Sequence, residues 1–170
     1  MCLFGNITGS KEESDTIPKM ILNDAGLMIE KWYYGLQNKF PDIKCHEMII
    51  MPNHFHAIIE NTGCPATGAD LRVCPLIGEH DEKNRGEHDG NIRGEHKGSP
   101  LFRVVQWFKT MTTNEYIRGV KTMNWVQFPG KLWQRNYYER IIYNEKSYNA
   151  IRKYIINNPK KWWFDQFRIK

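Results

Sequence analysis

Two histidines, one residue apart, are the clearest sign of chemistry in this sequence. His54 and His56 lie in MPNHFHAIIE, residues 51–60, where the Pro-Asn dipeptide predicts a tight turn and the residues after it a β-strand. Residues i and i+2 of a strand share a face, so the two imidazoles project together and the alternate residues point into a core: Phe55, Ala57 and Ile59. This geometry suits two ligands of one metal ion, but it also suits two polar side chains on the solvated face of a strand.

A tyrosine and an asparagine form the second candidate pair. Tyr154 and Asn158, in RKYIINNP, are four residues apart on a predicted helix, which places them on one face about 6 Å apart. A carboxamide oxygen is a ligand suited to Mg²⁺ or Mn²⁺, and a phenol beside such a metal can act as a nucleophile. The spacing also fits a structural alternative, in which Tyr154 packs the helix onto a sheet and Asn158 frays the helix end.

A helix and a hairpin are predicted around the histidine pair. The helix lies within residues 19–40, with Asn23 or Asp24 as its N-cap and Pro41 as its stop signal. The stretches IKCHEMIIM and HFHAIIE then predict two strands, and the tight turn between them predicts an antiparallel hairpin.

Two further helices are predicted in the second half of the chain. The apolar stripe of LFRVVQWFKTMTTNEYIRGV predicts the first, and LWQRNYYERII follows as a strand or a strand with a turn. The last helix is predicted from about Glu145 to Asn157, with Asn144 as its cap and Pro159 ending it. Helices and sheet alternate without a parallel-sheet pattern, so the predicted class is α+β.

Residues 63–99 differ in character from the rest of the chain. The sequence GEHDEKNRGEHDGNIRGEH repeats GEH every eight residues, and a repeat rich in glycine and charge cannot bury an apolar face. We therefore expect a single domain, residues 1–170, that carries a flexible insertion at 63–99. The repeat's histidines suggest either a metal cluster or, in the simpler interpretation, a tandem duplication in a tolerant loop: His80, His88 and His96.

Positive charge is concentrated in the second half of the chain. Residues 97–170 hold 15 Lys and Arg against 4 Asp and Glu, whereas residues 1–96 hold 9 against 15. Aromatic residues alternate with the cations in KLWQRNYYER and KKWWFDQFR. Cations that neutralise phosphates beside rings that stack on bases are typical of a single-strand nucleic-acid surface, although a solvated basic face over a Trp-rich core has the same composition.

The composition places the chain in a reducing, aqueous compartment. Its apolar runs are too short to span a membrane, and MCLFGNITGS lacks the pattern of a signal peptide. The four cysteines show no CxxC pairing and predict free thiols. We expect a cytoplasmic protein.

The two candidate pairs lie in motifs with a family resemblance. MPNHFHAIIE, taken with LWQRNYYERIIYNEKSYNAIRKYIINNPKKW, resembles the HUH single-strand transposases that use one catalytic tyrosine. The chain is most similar to the branch called REP-associated tyrosine transposases, which ILNDAG and the FK..T of the second helix also fit. The resemblance covers most of the chain outside residues 63–99.

The resemblance implies a role for each candidate residue. His54 and His56 take the positions of the family's two metal-binding histidines, Tyr154 that of the nucleophile, and Asn158 that of the third metal ligand. The implied cofactor is Mg²⁺ or Mn²⁺. The basic, aromatic half would hold the DNA, with these candidate contacts: Lys109, Arg135, Arg140 and Lys153.

The resemblance also implies a fold. The family has a ferredoxin-like two-layer sandwich, in which helices pack on an antiparallel sheet. The family's first strand precedes the CLFG segment, and here Cys2 follows Met1 directly, so we expect that strand to be missing. Because it is central in such a sheet, residues 1–10 or a partner chain would have to fill the gap, unless the chain is a truncated gene product.

Three functions follow as hypotheses. The first is a metal-dependent endonuclease and strand transferase, a transposase acting on single-stranded or hairpin DNA through a 5′-phosphotyrosine and associated with the nucleoid. The second is an inactive remnant that binds such nucleic acids without cleaving them. The third is an RNA-processing relative that uses the same surface. Some relatives exchange the tyrosine helix between two subunits, so a homodimer is among the expected assemblies.

Overall fold

The fold combines antiparallel sheets with helices. A computed structural model describes residues 2–9, 17–63, 73–77 and 101–162, with the backbone alone at 73–77. Within these residues the elements are, in order, β1 (Gly5–Thr8), β2 (Lys19–Leu22), α1 (Asp24–Lys39), β3 (Ile43–Ile50), β4 (Phe55–Asn61), β5 (Val73–Ile77), α2 (Leu101–Thr122), β6 (Tyr138–Glu139) and α3 (Glu145–Lys161). Strands β1 and β2 pair with each other, and the others form a sheet in the order β3-β4-β5-β6. The predicted α+β class is confirmed.

Both predicted N-caps are confirmed, but one predicted helix end is wrong. The Asn23 side chain accepts a hydrogen bond of 2.9 Å from the Gly26 N–H at the start of α1, and Asn144 caps α3 in the same way. Helix α1 ends at Lys39, before Pro41, as expected. Helix α3 instead continues through Pro159 to Lys161. Since Pro159 and Trp162 are both buried, packing of the last turn outweighs the hydrogen bond that a proline cannot donate.

Helices cover both faces of the β3-β4 hairpin. Alternate residues of β4 pack against α1 and α2 in the larger core: Phe55, Ala57 and Ile59. On the opposite face, Ile58 packs with Ile142 and with Ile155 of α3. Helix α3 therefore adds a helical layer to the expected two-layer sandwich, and the even-numbered residues of β4, including His56, share its side.

The hairpin of β3 and β4 is confirmed, and it contains a β-bulge. Cys45 pairs with Ile59 but Met48 pairs with Ala57, so two residues of β3, His46 and Glu47, lie opposite Ile58 alone. A bulge of this kind shifts which residues face each side of the sheet. The Tyr33 hydroxyl, buried beneath it, lies 3.1 Å from the carbonyl oxygen of His46 and 2.7 Å from that of Ile58.

Strand β5 lies inside the segment expected to be a flexible insertion. It pairs with β4 on one side and β6 on the other, so it is an inner strand of this sheet. Residues 5–8 pair with β2 instead and form a separate two-stranded sheet. Within the predicted insertion, the structure describes only residue 63 and residues 73–77. The repeat histidines lie outside the described residues.

The CLFG segment is bonded to the turn before the histidine pair. The backbone N–H groups of Leu3 and Phe4 both donate to the Pro52 carbonyl, at 2.7 and 3.1 Å. The Phe4 carbonyl in turn lies against Gly26 of the ILNDAG motif. A Cβ added at Gly26 would come within 2.3 Å of the Phe4 carbonyl oxygen. Glycine is required there because only a residue without a side chain admits this approach.

None of the helices in the described part of the chain is both long and apolar enough to cross a membrane.

Candidate active site

The histidine pair lies where the hairpin turn meets β4. The turn is closed by a hydrogen bond of 2.8 Å from the Met51 N–H to the His54 carbonyl. The ring centroids of His54 and His56 are 4.8 Å apart, with the ring planes at 78°, so the two imidazoles project together as predicted. His56 is only 4% exposed, and the alternative of a solvated strand face is therefore wrong for this residue.

One face of α3 lies against the histidine pair. Three residues at four-residue spacing form that face: Tyr154, Asn158 and Trp162. The Tyr154 ring centroid lies 5.5 Å from that of His56, and the Trp162 ring centroid lies 6.2 Å from that of His54. Asn158, between them on the helix, is 3% exposed. The alternative of a frayed helix end is therefore wrong for Asn158.

Tyr154 is close to the histidines and is also open to solvent. Its side chain is 40% exposed, so a substrate can reach its hydroxyl. The Lys161 ammonium lies over the same ring, 5.3 Å from the centroid. A cation beside an accessible phenol is suited to a negatively charged group such as a phosphate.

The side chains at this site are of types that can bind a divalent metal. Among the described residues, no group of three or more His, Cys, Asp and Glu side chains could hold one. Metal binding here would therefore depend on His54, His56 and the amide of Asn158, which is the set that the resemblance implies. Two imidazole nitrogens favour a transition metal such as Mn²⁺ over Mg²⁺, which prefers oxygen ligands.

Trp162 is a part of this site that the sequence reasoning missed. The prediction ended the helix at Pro159, which removed the last turn from consideration. The signal was the four-residue spacing of Tyr154, Asn158 and Trp162, which continues through the proline.

The four candidate DNA contacts fall into two groups. Lys109 is partly buried, donates a hydrogen bond of 2.9 Å to the Gln134 carbonyl, and lies over the Tyr137 ring; burial lowers its pKa. These contacts hold the segment after α2 in place, together with the hydrogen bond from Trp133 Nε1 to the Thr112 hydroxyl. The FK..T motif of α2 is thus structural in this chain. The other three candidates are exposed and available to a ligand: Arg135, Arg140 and Lys153.

A polar cluster joins the bulge of β3 to α3. Glu47 Oε2 accepts a hydrogen bond of 2.7 Å from the Tyr148 hydroxyl, and its Oε1 pairs with Arg152 Nε. Beside them, His46 Nε2 lies 2.9 Å from a carboxylate oxygen of Glu60. Burial of Glu47 alone would raise its pKa, but the hydrogen bonds from Tyr148 and Arg152 outweigh burial and hold it below its usual value.

Tyr148 should make folding stability sensitive to alkaline pH. Burial, followed by its hydrogen bond to Glu47, raises the pKa of Tyr148 from 10.0 to about 12. Because the folded-state pKa is the higher one, the contribution of the neutral phenol to stability is complete below pH 10 and is lost as the pH rises towards 12. Urea denaturation at pH 9 and pH 11 should show a larger loss of unfolding free energy in the wild type than in Tyr148→Phe. Equal losses in the two proteins would contradict this coupling.

The fold and the site together define an α+β chain in which a tyrosine-bearing helix faces a histidine pair. A protein of Haemophilus influenzae, recorded as "Uncharacterized protein", is 32% identical over 172 aligned positions, which cover 99% of this chain and 78% of that protein. The chain belongs to the same family as this Haemophilus protein. No profile of a described protein family matches the chain, and no solved structure matches it either.

Proposed function

We propose that this protein is a metal-dependent endonuclease and strand transferase for single-stranded or hairpin DNA, with Tyr154 as its nucleophile. The observation that carries the proposal is the face of α3 against the histidine pair. It brings an accessible phenol within 5.5 Å of the His56 ring, measured between centroids, and it carries the buried Asn158 one turn further along the same face.

Phosphoryl transfer to Tyr154 suits this arrangement. The phenol oxygen attacks a backbone phosphorus, the bond from phosphorus to the 3′ oxygen breaks, and the products are a 5′-phosphotyrosine and a free 3′-hydroxyl. The phenol loses its proton to solvent, and the leaving oxygen gains one. The new phosphodiester conserves the energy of the old one, so a 3′-hydroxyl can reverse the step and no external energy source is required.

The metal ligands and the cations have separate tasks. His54, His56 and Asn158 would hold Mn²⁺ or Mg²⁺, which when bound polarises the phosphoryl oxygens and positions the phosphate. Lys161 supplies positive charge beside the phenol ring. The exposed side chains of Arg135, Arg140 and Lys153 are available to neutralise neighbouring phosphates, a contribution that weakens with salt.

The polarity of the covalent product gives a direct test. A library of single-stranded hairpins, labelled at either the 3′ or the 5′ end, is incubated with the protein and Mn²⁺ and separated on a denaturing protein gel. The 3′ label should move with the protein and the 5′ label should not, because only the downstream piece becomes attached. Chelation by EDTA and fully duplexed DNA should each abolish the band.

Other results of this experiment point elsewhere. A folded protein that binds the hairpins in a salt-dependent way and yields no adduct would be a nucleic-acid-binding remnant. Preferential attachment to RNA hairpins of the same sequence would favour an RNA-processing enzyme.

A further inference from the structure

The apolar contact between the middle of α3 and the sheet is small. Three residues are fully buried there, Ile58, Ile142 and Ile155, with Ile49, Tyr148 and Ile151 around them. Contacts between aliphatic side chains are non-directional, so this cluster can hold the helix on the sheet without fixing its rotation or its register. The position of Tyr154 depends on both.

The Glu47 carboxylate can fix the rotation and the register of α3. Its two oxygens bind side chains one helical turn apart on α3, with Oε2 accepting from Tyr148 and Oε1 from Arg152. A slip of the helix by one residue would turn each side chain by about 100° and shift it by about 1.5 Å. Such a slip would break both contacts and would carry Tyr154 away from His56.

The bulge of β3 lets both His46 and Glu47 face the side of the sheet that α3 covers. In an unbroken strand, residues 46 and 47 would point to opposite faces. Here His46 bonds to Glu60 and Glu47 bonds to α3, so both side chains reach the face that α3 covers. The Tyr33 hydroxyl stabilises this arrangement from the core side by donating to carbonyl oxygens at the bulge.

We infer that Glu47, Tyr148 and Arg152 are positioning residues, which set the register of α3 so that Tyr154 meets the histidine pair. None of the three is assigned contact with the reacting phosphate. The inference rests on the proposed function, because that function is what the register of α3 would serve. The contact between Tyr154 and the histidine pair can be tested separately.

The first test separates the rate of reaction from binding of DNA. Tyr148→Phe and Glu47→Gln should each lower the single-turnover rate of adduct formation at saturating hairpin DNA by about 10-fold or more, since small displacements of a reacting group are costly. The DNA concentration at half-saturation should not change. The double variant should lose little more than either single variant, because the two residues act as one unit. Tyr143→Phe, which removes an exposed hydroxyl just before α3, is the matched control and should react like the wild type.

The second test does not need DNA. Hydrogen exchange in Tyr148→Phe should speed up at the amides of residues 151–158 and remain unchanged in α1, at a temperature where the variant is fully folded. Unchanged exchange in α3, or a variant that reacts at the wild-type rate, would overturn the inference. If the wild type itself forms no adduct, the proposed function fails, and the exchange result alone decides whether these residues set the position of α3.

Discussion

Tyr154→Phe should lose adduct formation by more than about 1,000-fold, because phenylalanine offers no oxygen to the phosphorus. The substitution removes one hydroxyl from a side chain that is already 40% exposed, so folding stability should change little. Binding of hairpin DNA should persist, because the cations and the histidine pair are intact. The 3′-labelled hairpin assay measures the loss, and a filter-binding titration measures the affinity.

The matched control for this variant is Tyr34→Phe. Tyr34 is 48% exposed, so this variant also removes a hydroxyl from a partly solvated ring. Tyr34 lies on α1, however, which packs against the other face of the hairpin. It should form the adduct at the wild-type rate. Cleavage that survives in Tyr154→Phe would contradict the nucleophile assignment and would place the reacting hydroxyl elsewhere.

His56→Ala should lose both the metal and the reaction. His56 is 4% exposed and contacts both His54 and Tyr154, so its removal takes away one of two imidazole donors and one wall of the site. Affinity for Mn²⁺ should fall by about 100-fold or more; even residues that only support metal ligands cost 10- to 100-fold. Electron paramagnetic resonance of free Mn²⁺ measures the affinity, and the adduct assay follows in parallel.

His46→Ala provides the comparison. It also removes one imidazole, but one that bonds to Glu60 in the polar cluster, and it should leave Mn²⁺ affinity unchanged. Truncating a buried side chain also costs about 1–3 kcal/mol of stability, so both variants are compared well below the unfolding midpoint of His56→Ala. Wild-type Mn²⁺ affinity in folded His56→Ala would contradict the metal assignment.

Local signals made several features predictable. Asn23 and Asn144 are good caps, each followed directly by an acidic residue, and α1 ends just before Pro41. The alternation of His54 and His56 with apolar residues gave the shared face of the pair, because strand geometry has a period of two. These predictions needed no knowledge of distant contacts.

The remaining features depend on long-range contacts. Glu47 and Tyr148 are 101 residues apart in the chain, and no local pattern connects them. Strand β5 pairs with β4 and β6, and those partners cannot be read from its five residues alone. The bulge had a signal that was missed: the core-facing residues of β3 are Ile43 and Cys45, then Met48 and Ile50, a change from odd to even positions that an unbroken strand cannot make.

That change from odd to even gives the bulge a consequence for how this gene can vary. Deleting a single codon for residue 46 or 47 would restore an unbroken ladder between β3 and β4, which by itself looks like a repair. It would leave Ile43, Cys45, Met48 and Ile50 on the core side, because the shortened strand alternates regularly again. What it removes is one of the two side chains, His46 or Glu47, on the side of α3. The core therefore gives no reason to keep the extra residue, whereas the contacts with α3 do. Relatives that are one residue shorter here should keep the hairpin and lose part of this polar cluster.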